Sequence, residues 1–152
     1  MLTDFSCLNN FNTSWTEDSI SIWRSSNVTV ARGLVDGNNS PTGVGVMFEG
    51  SEEGVTGGLI EDVDAVHQGD GCFSGYPAQH LVMKNVRCAH THLDGVGGRD
   101  PPSSGSLGWA AGDEDGISST GIDVRESSYF DLARSYYFWE ASPGGFLNDT
   151  ID

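Results

Sequence analysis

The sequence contains little positive charge and few features of nucleic-acid or membrane proteins. Its 152 residues include 7 Lys and Arg against 22 Asp and Glu, which gives a net charge of −15. Such a surface repels a phosphate backbone, because nucleic-acid affinity depends on cationic groups that displace counterions. No apolar run approaches the roughly 18 residues that cross a membrane. We therefore expect neither nucleic-acid binding nor membrane insertion.

The chain also lacks the cysteine spacing of common metal and redox motifs. Its three cysteines include no Cys-x-x-Cys pair, so neither a zinc ribbon nor a thioredoxin-like site is supported. Cys72 and Cys88 fit two alternatives, a disulfide or two small buried side chains. We favour burial, because free cysteine is among the most buried residue types.

A secretory leader is missing from the first residues as well. The stretch MLTDFSCLNN has neither a basic n-region nor an apolar h-region. The chain is then cytoplasmic, or exported after removal of a leader, or part of a longer protein.

Glycine, small polar residues and strand-forming apolar residues dominate instead. There are 21 glycines, and Val, Ile, Phe, Trp and Tyr prevail where apolar residues cluster. We therefore expect an all-β fold and not a helical bundle. A chain of this length holds one domain with a continuous core, so residues 1–152 are interpreted as a single domain.

Short apolar runs recur along the chain at intervals of 24 to 35 residues. After each run comes a polar turn and then a second segment in which apolar residues alternate with polar ones, as at Val28 and Val30. Alternation of this kind predicts strands with one buried face. Repeated strand and turn units predict a solenoid, in which neighbouring units stack to bury a shared core. The runs are ISIW from Ile20, VGVMFE from Val44, CFSG from Cys72, LGWA from Leu107 and YFWE from Tyr137.

Three stretches carry a resemblance to a known fold: SISIWRSSNVTVARGLVDGNNS (19–40), its echo through residue 66, and AQHLVMKNVRCAH (78–90). They resemble the right-handed parallel β-helix of pectate-lyase-like proteins, where an asparagine and an Asp-Gly pair often bracket a strand as Asn27 and Asp36 do here. The resemblance implies a solenoid of about five rungs, with Asn27 stacked on polar residues of adjacent rungs. It implies no single activity, since lyases, hydrolases, epimerases, tailspikes and adhesins share the scaffold.

The two ends of such a solenoid raise further expectations. Tyr129, Leu132, Tyr136 and Glu140 fall at helical spacing, so a short closing helix or cap is an alternative to a last strand. Open end rungs expose strand edges that pair readily with other strands. We expect a cap, a flanking segment or a homo-oligomer formed through these ends.

Aromatic residues occur at about one per predicted rung. If they point outward they form a ladder whose flat faces suit sugar rings, and if they point inward they belong to the core. Glu49 follows Phe48 and would stand on the same sheet. The candidate substrate-binding residues are Trp23, Tyr76, Trp109 and Trp139.

Carboxylates and histidines supply the candidates for catalysis. Asp62 and Asp64 alternate with Val63, which would put two carboxylates on one face of a strand, as glycoside hydrolysis requires. The motifs of the polygalacturonase-like hydrolases are nevertheless absent. The candidate catalytic residues are Asp70, His67, Glu49 and Arg99.

Arg99 and an acidic turn add a lyase-like interpretation. An arginine is the base in pectate lyases, so the resemblance implies that role for Arg99, although no surrounding motif matches theirs. The turn GDEDG offers hard oxygen ligands for calcium, which would neutralise a uronate carboxylate; a solvated acidic turn is the alternative. The candidate calcium ligands are Asp113, Glu114 and Asp115.

Together these features predict a carbohydrate-interacting β-helix, polysaccharide lyase- or hydrolase-like, that binds a glycan in a groove along one parallel sheet. The alternative is a non-catalytic structural or adhesive solenoid, such as a segment of a tailspike, adhesin or surface fibre. Either function predicts an extracellular or cell-surface location.

Overall fold

The computed structural model describes residues 1–10, 13–38, 40–50, 54–91, 106–112, 116–132, 138–140 and 146–151. Within these ranges the regular structure consists of strands, and no helix is present, which confirms the all-β prediction. The strands are β1 (Leu2–Leu8), β2 (Asp18–Trp23), β3 (Val28–Asn38), β4 (Val44–Glu49), β5 (Val55–Gln68), β6 (Gly71–Tyr76), β7 (Ala78–Lys84), β8 (Arg87–Ala89), β9 (Ser106–Ala110), β10 (Ile122–Phe130), β11 (Phe138–Glu140) and β12 (Phe146–Ile151).

The strands form two parallel sheets between which the chain alternates. The first sheet has the order β1-β3-β5-β7-β10-β12, with β8 paired to both β5 and β10. The second has the order β11-β9-β6-β4-β2. Neighbouring strands of one sheet are thus usually separated in sequence by one strand of the other. Each recurring unit of the sequence, an apolar run followed by an alternating segment, therefore corresponds to one strand of the second sheet and the next strand of the first.

Strands of the first sheet bend at aligned residues with positive φ. Arg32 in β3, Asp62 in β5 and Glu126 in β10 have φ values of 53°, 56° and 52°. Of the eleven non-glycine residues with positive φ in the described part of the chain, eight are Asn, Asp or His, which tolerate this region best. Polar residues within otherwise apolar segments therefore mark bends. Strand register aligns one complete row: Asp4, Arg32, Asp62, Asn85 and Glu126.

Asn27 occupies another row of bends, but the predicted stack of polar side chains is wrong there. Its φ is 56°, and the aligned residue on the next strand is Gly57, with a φ of 71°. A Cβ atom on Gly57 would lie 2.5 Å from Oδ1 of Asn27, so the amide of Asn27 covers a glycine. The backbone N–H of Asn27 donates to the carbonyl oxygens of Thr56 and Gly57, each at 3.2 Å.

The core lies between the sheets and draws side chains from both. Ile60 and Leu81 from the first sheet and Phe48 and Phe73 from the second are almost fully buried in one cluster. Burial of these apolar faces is the main favourable term in folding, at about 25 cal/mol per Å².

A disulfide between Cys72 and Cys88 joins β6 to β8 and so links the two sheets. Both cysteines are buried in the main core, as expected, and they are also bonded, which was the less favoured alternative. The third cysteine, Cys7, is half-buried and lies outside any disulfide.

The closing helix considered for residues 129–140 is wrong wherever the structure describes that segment. Tyr129 lies in β10, and Phe138 to Glu140 form β11, which pairs with β9. Residues 133–137 lie outside the described part of the chain. Aromatic and apolar residues suit both periods, and here pairing with existing strand edges prevails.

Candidate functional site

The outer face of the second sheet brings together a row of three predicted site residues. Trp23 of β2 is in register with Glu49 of β4, which is in register with Tyr76 of β6. We call Trp23, Glu49 and Tyr76 the aromatic row. The side chain of Trp23 is 54% exposed, whereas Glu49 and Tyr76 are half-buried. An exposed indole beside a carboxylate therefore forms the accessible end of the row.

A second row on the same face is largely covered. Met47 of β4 and Trp109 of β9 are 7% and 8% exposed, and they form an apolar cluster separate from the main core. Tyr76 packs against this cluster, and its ring centroid lies 6.1 Å from that of Trp109. Trp109 therefore packs against Tyr76 and is too buried to offer a binding surface of its own. The backbone of Trp139 pairs with Trp109, and the Trp139 side chain lies outside the described part.

Some of the aromatic residues point outward and others point into the core, so both alternatives from the sequence occur. Trp23 and Tyr76 lie on the outer face, while Phe48 points into the core and is fully buried.

Glu49 is oriented by a neighbour on the adjacent strand. The Ser21 hydroxyl donates a hydrogen bond to Oε1 of Glu49 at 2.5 Å. The Arg24 guanidinium carbon lies 5.5 Å from the centre of the Trp23 indole, a cation–π arrangement. The Glu49 carboxylate therefore has a fixed position between Trp23 and Tyr76 in the row, and the Arg24 guanidinium lies over Trp23.

Asp18, at the start of β2, is a site residue that the sequence did not reveal. It is in register with Val44, which belongs to the outer apolar cluster. The next two residues both face inward, since the Ser19 hydroxyl donates to Gln68 and Ile20 packs on the main core. This double step breaks strict alternation and places Asp18 on the outer face. The signal in the sequence was an acidic residue just before the ISIW run, in a strand that begins two residues earlier than predicted.

The environment of Asp18 disfavours its charged form. Desolvation by burial raises the pKa of Asp18 to about 6, and the negative charges of Glu49, Glu17 and Asp70 act in the same direction. The backbone N–H of Val44 donates to Oδ1 of Asp18 at 3.0 Å, which lowers this pKa and only partly offsets the burial. Asp18 therefore exchanges its proton near neutral pH, in the range useful for acid or base catalysis.

His67 lies on the other sheet and serves a bend. It has a φ of 55°, and its Nδ1 atom lies 2.7 Å from Oδ1 of Asp36 on β3. Its ring stacks on that of His90 at 5.7 Å between centroids, and His90 contacts Asp131 in the same way at 2.9 Å. His67 belongs to the first sheet and Glu49 to the second, so the structure does not bring these two candidates to one face. The pattern of bends explains why histidine occurs here.

Asp70 lies between β5 and β6, at the same end of the second sheet as Asp18. Its backbone N–H donates to the Gly43 carbonyl at 3.0 Å. Because its charge contributes to the raised pKa of Asp18, Asp70 belongs to the surroundings of the outer face.

Asp62 and Asp64 lie on either side of the buried Val63 in β5. Asp62 occupies a bend with positive φ. Asp62 accepts a hydrogen bond from Asn85 at 2.7 Å, and Asp64 pairs with Arg87. Each carboxylate is engaged by its own cross-strand partner.

Several candidates lie outside the described residues, namely Arg99, Asp113, Glu114 and Asp115. In the part of the chain that is described, no group of three His, Cys, Asp or Glu side chains is suited to hold a metal ion. The same part contains no helix long and apolar enough to cross a membrane.

Comparison with known proteins gives no family: no family model, curated protein or solved structure matches this chain.

Proposed function

We propose that the chain is a right-handed parallel β-helix of about five rungs that binds a glycan along the outer face of its second sheet. The alternation of the chain between two parallel sheets supports the solenoid. The right hand is supported by the general rule that crossovers between parallel strands are right-handed in about 98% of cases.

The aromatic row is the observation that carries the proposal. Successive strands lie about 4.8 Å apart, so Trp23 and Tyr76, two strands apart, are separated by about 10 Å. That distance accommodates more than one sugar ring along the row. Aromatic faces pack against the apolar faces of sugars, and the Glu49 carboxylate between them accepts hydrogen bonds from hydroxyl groups.

Glycoside hydrolysis is a second candidate, favoured by the raised pKa of Asp18, to which the charge of Glu49 contributes. In this reaction the Asp18 carboxyl would give its proton to the glycosidic oxygen as the carbon–oxygen bond breaks. Glu49 would take a proton from the water that attacks the anomeric carbon. The non-catalytic structural or adhesive solenoid is the alternative, in which the face binds without turnover.

The location proposed for the protein is extracellular or on the cell surface. The disulfide between Cys72 and Cys88 supports it, since disulfides persist in oxidising compartments and are rare in the cytosol. A calcium ion at Asp113, Glu114 and Asp115, and a base at Arg99, belong to the lyase-like form of the proposal. Association through the open strand edges of β1 and β2 would give a homo-oligomer.

A polysaccharide panel tests the proposal directly. The purified protein is incubated with neutral, amino and uronate polymers, with and without EDTA, while retention on the polymer, reducing ends and ultraviolet absorbance are recorded. Retention on at least one polymer is the expected result. New reducing ends would establish hydrolysis, and EDTA-sensitive absorbance would establish a calcium-dependent lyase. No retention and no product on any polymer would contradict the proposal.

A further inference from the structure

We propose that the outer face selects glycans that carry free amino groups and rejects those that carry carboxylates, an inference that rests on the glycan binding proposed above. The aromatic row determines where the glycan binds, and the charged side chains of the same face determine whether its amino or its carboxylate substituents are favoured.

The position of Glu49 makes its charge decisive. It stands in register between Trp23 and Tyr76, so a sugar stacked across the row has its substituents next to this carboxylate. An ammonium group there would form a charge-assisted hydrogen bond, whereas a uronate would meet a like charge.

The cation at the exposed end of the row acts in the opposite direction. The Arg24 guanidinium lies over the Trp23 indole, where it repels an ammonium group and attracts a carboxylate. Arg24 is also the one basic side chain in the stretch from Asp18 to Arg24, and it lies at the outer end of the row.

The other charges on this face are negative and lie towards the start of the strands. Asp18 begins β2, the strand that ends at Trp23, and Glu49, Glu17 and Asp70 act on Asp18 electrostatically. Carboxylates therefore outnumber the guanidinium on the outer face. A polymer of uronates would be repelled over its length, and a polymer of amino sugars would be attracted.

Three oligosaccharides of equal length separate these cases. Calorimetric titrations at pH 6 and low salt use β-linked hexamers of glucosamine and of N-acetylglucosamine, and a hexamer of galacturonate. The glucosamine hexamer should bind about tenfold more tightly than its acetylated form, which corresponds to about one charge-assisted contact. The galacturonate hexamer should bind more weakly than both.

Two variants assign the preference to the row. Glu49→Gln keeps the shape and removes the charge, so it should abolish most of the tenfold preference and leave affinity for the acetylated hexamer within about twofold. Glu126→Gln, which removes an exposed carboxylate from the first sheet, should leave the preference unchanged.

The outcomes distinguish this inference from the proposed function. Tightest binding of galacturonate, or equal effects of Glu49→Gln on both hexamers, would overturn the charge preference while glycan binding stood. If no hexamer and no polymer bound, both proposals would fail.

Discussion

At the scale of single residues, the chain uses polar side chains to hold bends. Asp, Asn and His fill most of the non-glycine positions with positive φ, and His67 and His90 are among them. From the sequence alone, His67 suggested catalysis, because a bend and a catalytic group draw on the same residue types. A residue at a bend differs from a catalytic residue in its backbone conformation, which a single sequence does not reveal. Arg24, Arg32 and Glu126 are the exceptions among the described residues.

Replacing Glu126 with asparagine should stabilise the protein. Glu126 is exposed and has a φ of 52°, a conformation that costs most L-residues about 1–2 kcal/mol. Asparagine tolerates this region better, so the free energy of unfolding should rise by about 0.5–1 kcal/mol, as measured by urea denaturation. Glu126→Gln is the control, since it removes the charge and keeps the unfavourable backbone. An equal gain in both variants would assign the effect to charge and not to φ.

Replacing Asp18 with asparagine should stabilise the fold in a pH-dependent way. The folded-state pKa of Asp18 is about 6, above the ordinary value of 3.8, so the folded state binds the proton more tightly than the unfolded state does. Asp18 therefore lowers stability progressively as pH rises from about 4 to about 6, and the cost persists above that window.

The gain from Asp18→Asn should be small at pH 4 and reach about 1 kcal/mol at pH 7, an amount reduced for solvent screening because Asp18 is partly exposed. Asparagine retains the acceptor for the Val44 N–H. Thermal unfolding at several pH values measures the difference, and a gain that does not change with pH would refute the assignment.

At the scale of strands, the apolar runs of the sequence predicted most elements. VGVMFE coincides with β4, and CFSG and LGWA fall within β6 and β9. The alternation of buried and polar positions was sufficient for this because each strand buries one face against the opposite sheet. β1 was not predicted, since Leu2–Leu8 has only one strongly apolar pair facing a partly open end of the core.

The sequence could not predict pairings that depend on register. The disulfide of Cys72 and Cys88 requires β6 to face β8 across the core, and Asp18 reaches the outer face only because two successive residues of β2 point inward. Both features follow from the three-dimensional alignment of strands that are distant in sequence. An outward aromatic ladder could be proposed as one of two alternatives, but which aromatic residues point outward, and their register with Glu49, could not.

Removing the disulfide should destabilise the protein substantially. The bond connects residues separated by 16 positions, and a closed loop of this length is worth about 3 kcal/mol. For a chain of this size, the melting temperature of Cys72→Ala/Cys88→Ala should fall by about 6–12 °C.

Cys7→Ala, which leaves the bond intact, is the control for the disulfide variant. Scanning calorimetry with and without a reducing agent gives the same comparison for the unmodified chain. A melting temperature that is insensitive to both reduction and the double substitution would show that the two sheets do not depend on this link.

At the scale of the whole molecule, the fold separates two roles. The first sheet carries the bends and the pairs of carboxylates with basic side chains, such as Asp4 with Arg32 and Glu61 with Lys84. The outer face of the second sheet presents the rings of Trp23 and Tyr76 and the carboxylate of Glu49. Because an ion pair carries no net charge, these cross-strand pairs neutralise carboxylates on the first sheet and add nothing to the net charge of −15.

The most direct test of the central claim is a comparison of glycan affinity between two tryptophan variants. Trp23→Ala removes the exposed indole of the aromatic row, and Trp15→Ala removes an indole that is 57% exposed but lies between β1 and β2, outside the second sheet. With the best-binding polymer of the panel, Trp23→Ala should lower affinity by about tenfold or more, as expected for loss of one stacking contact. Trp15→Ala should bind as the unmodified protein does. Equal affinity of Trp23→Ala and the unmodified protein, with both variants folded, would show that the glycan does not bind along this face.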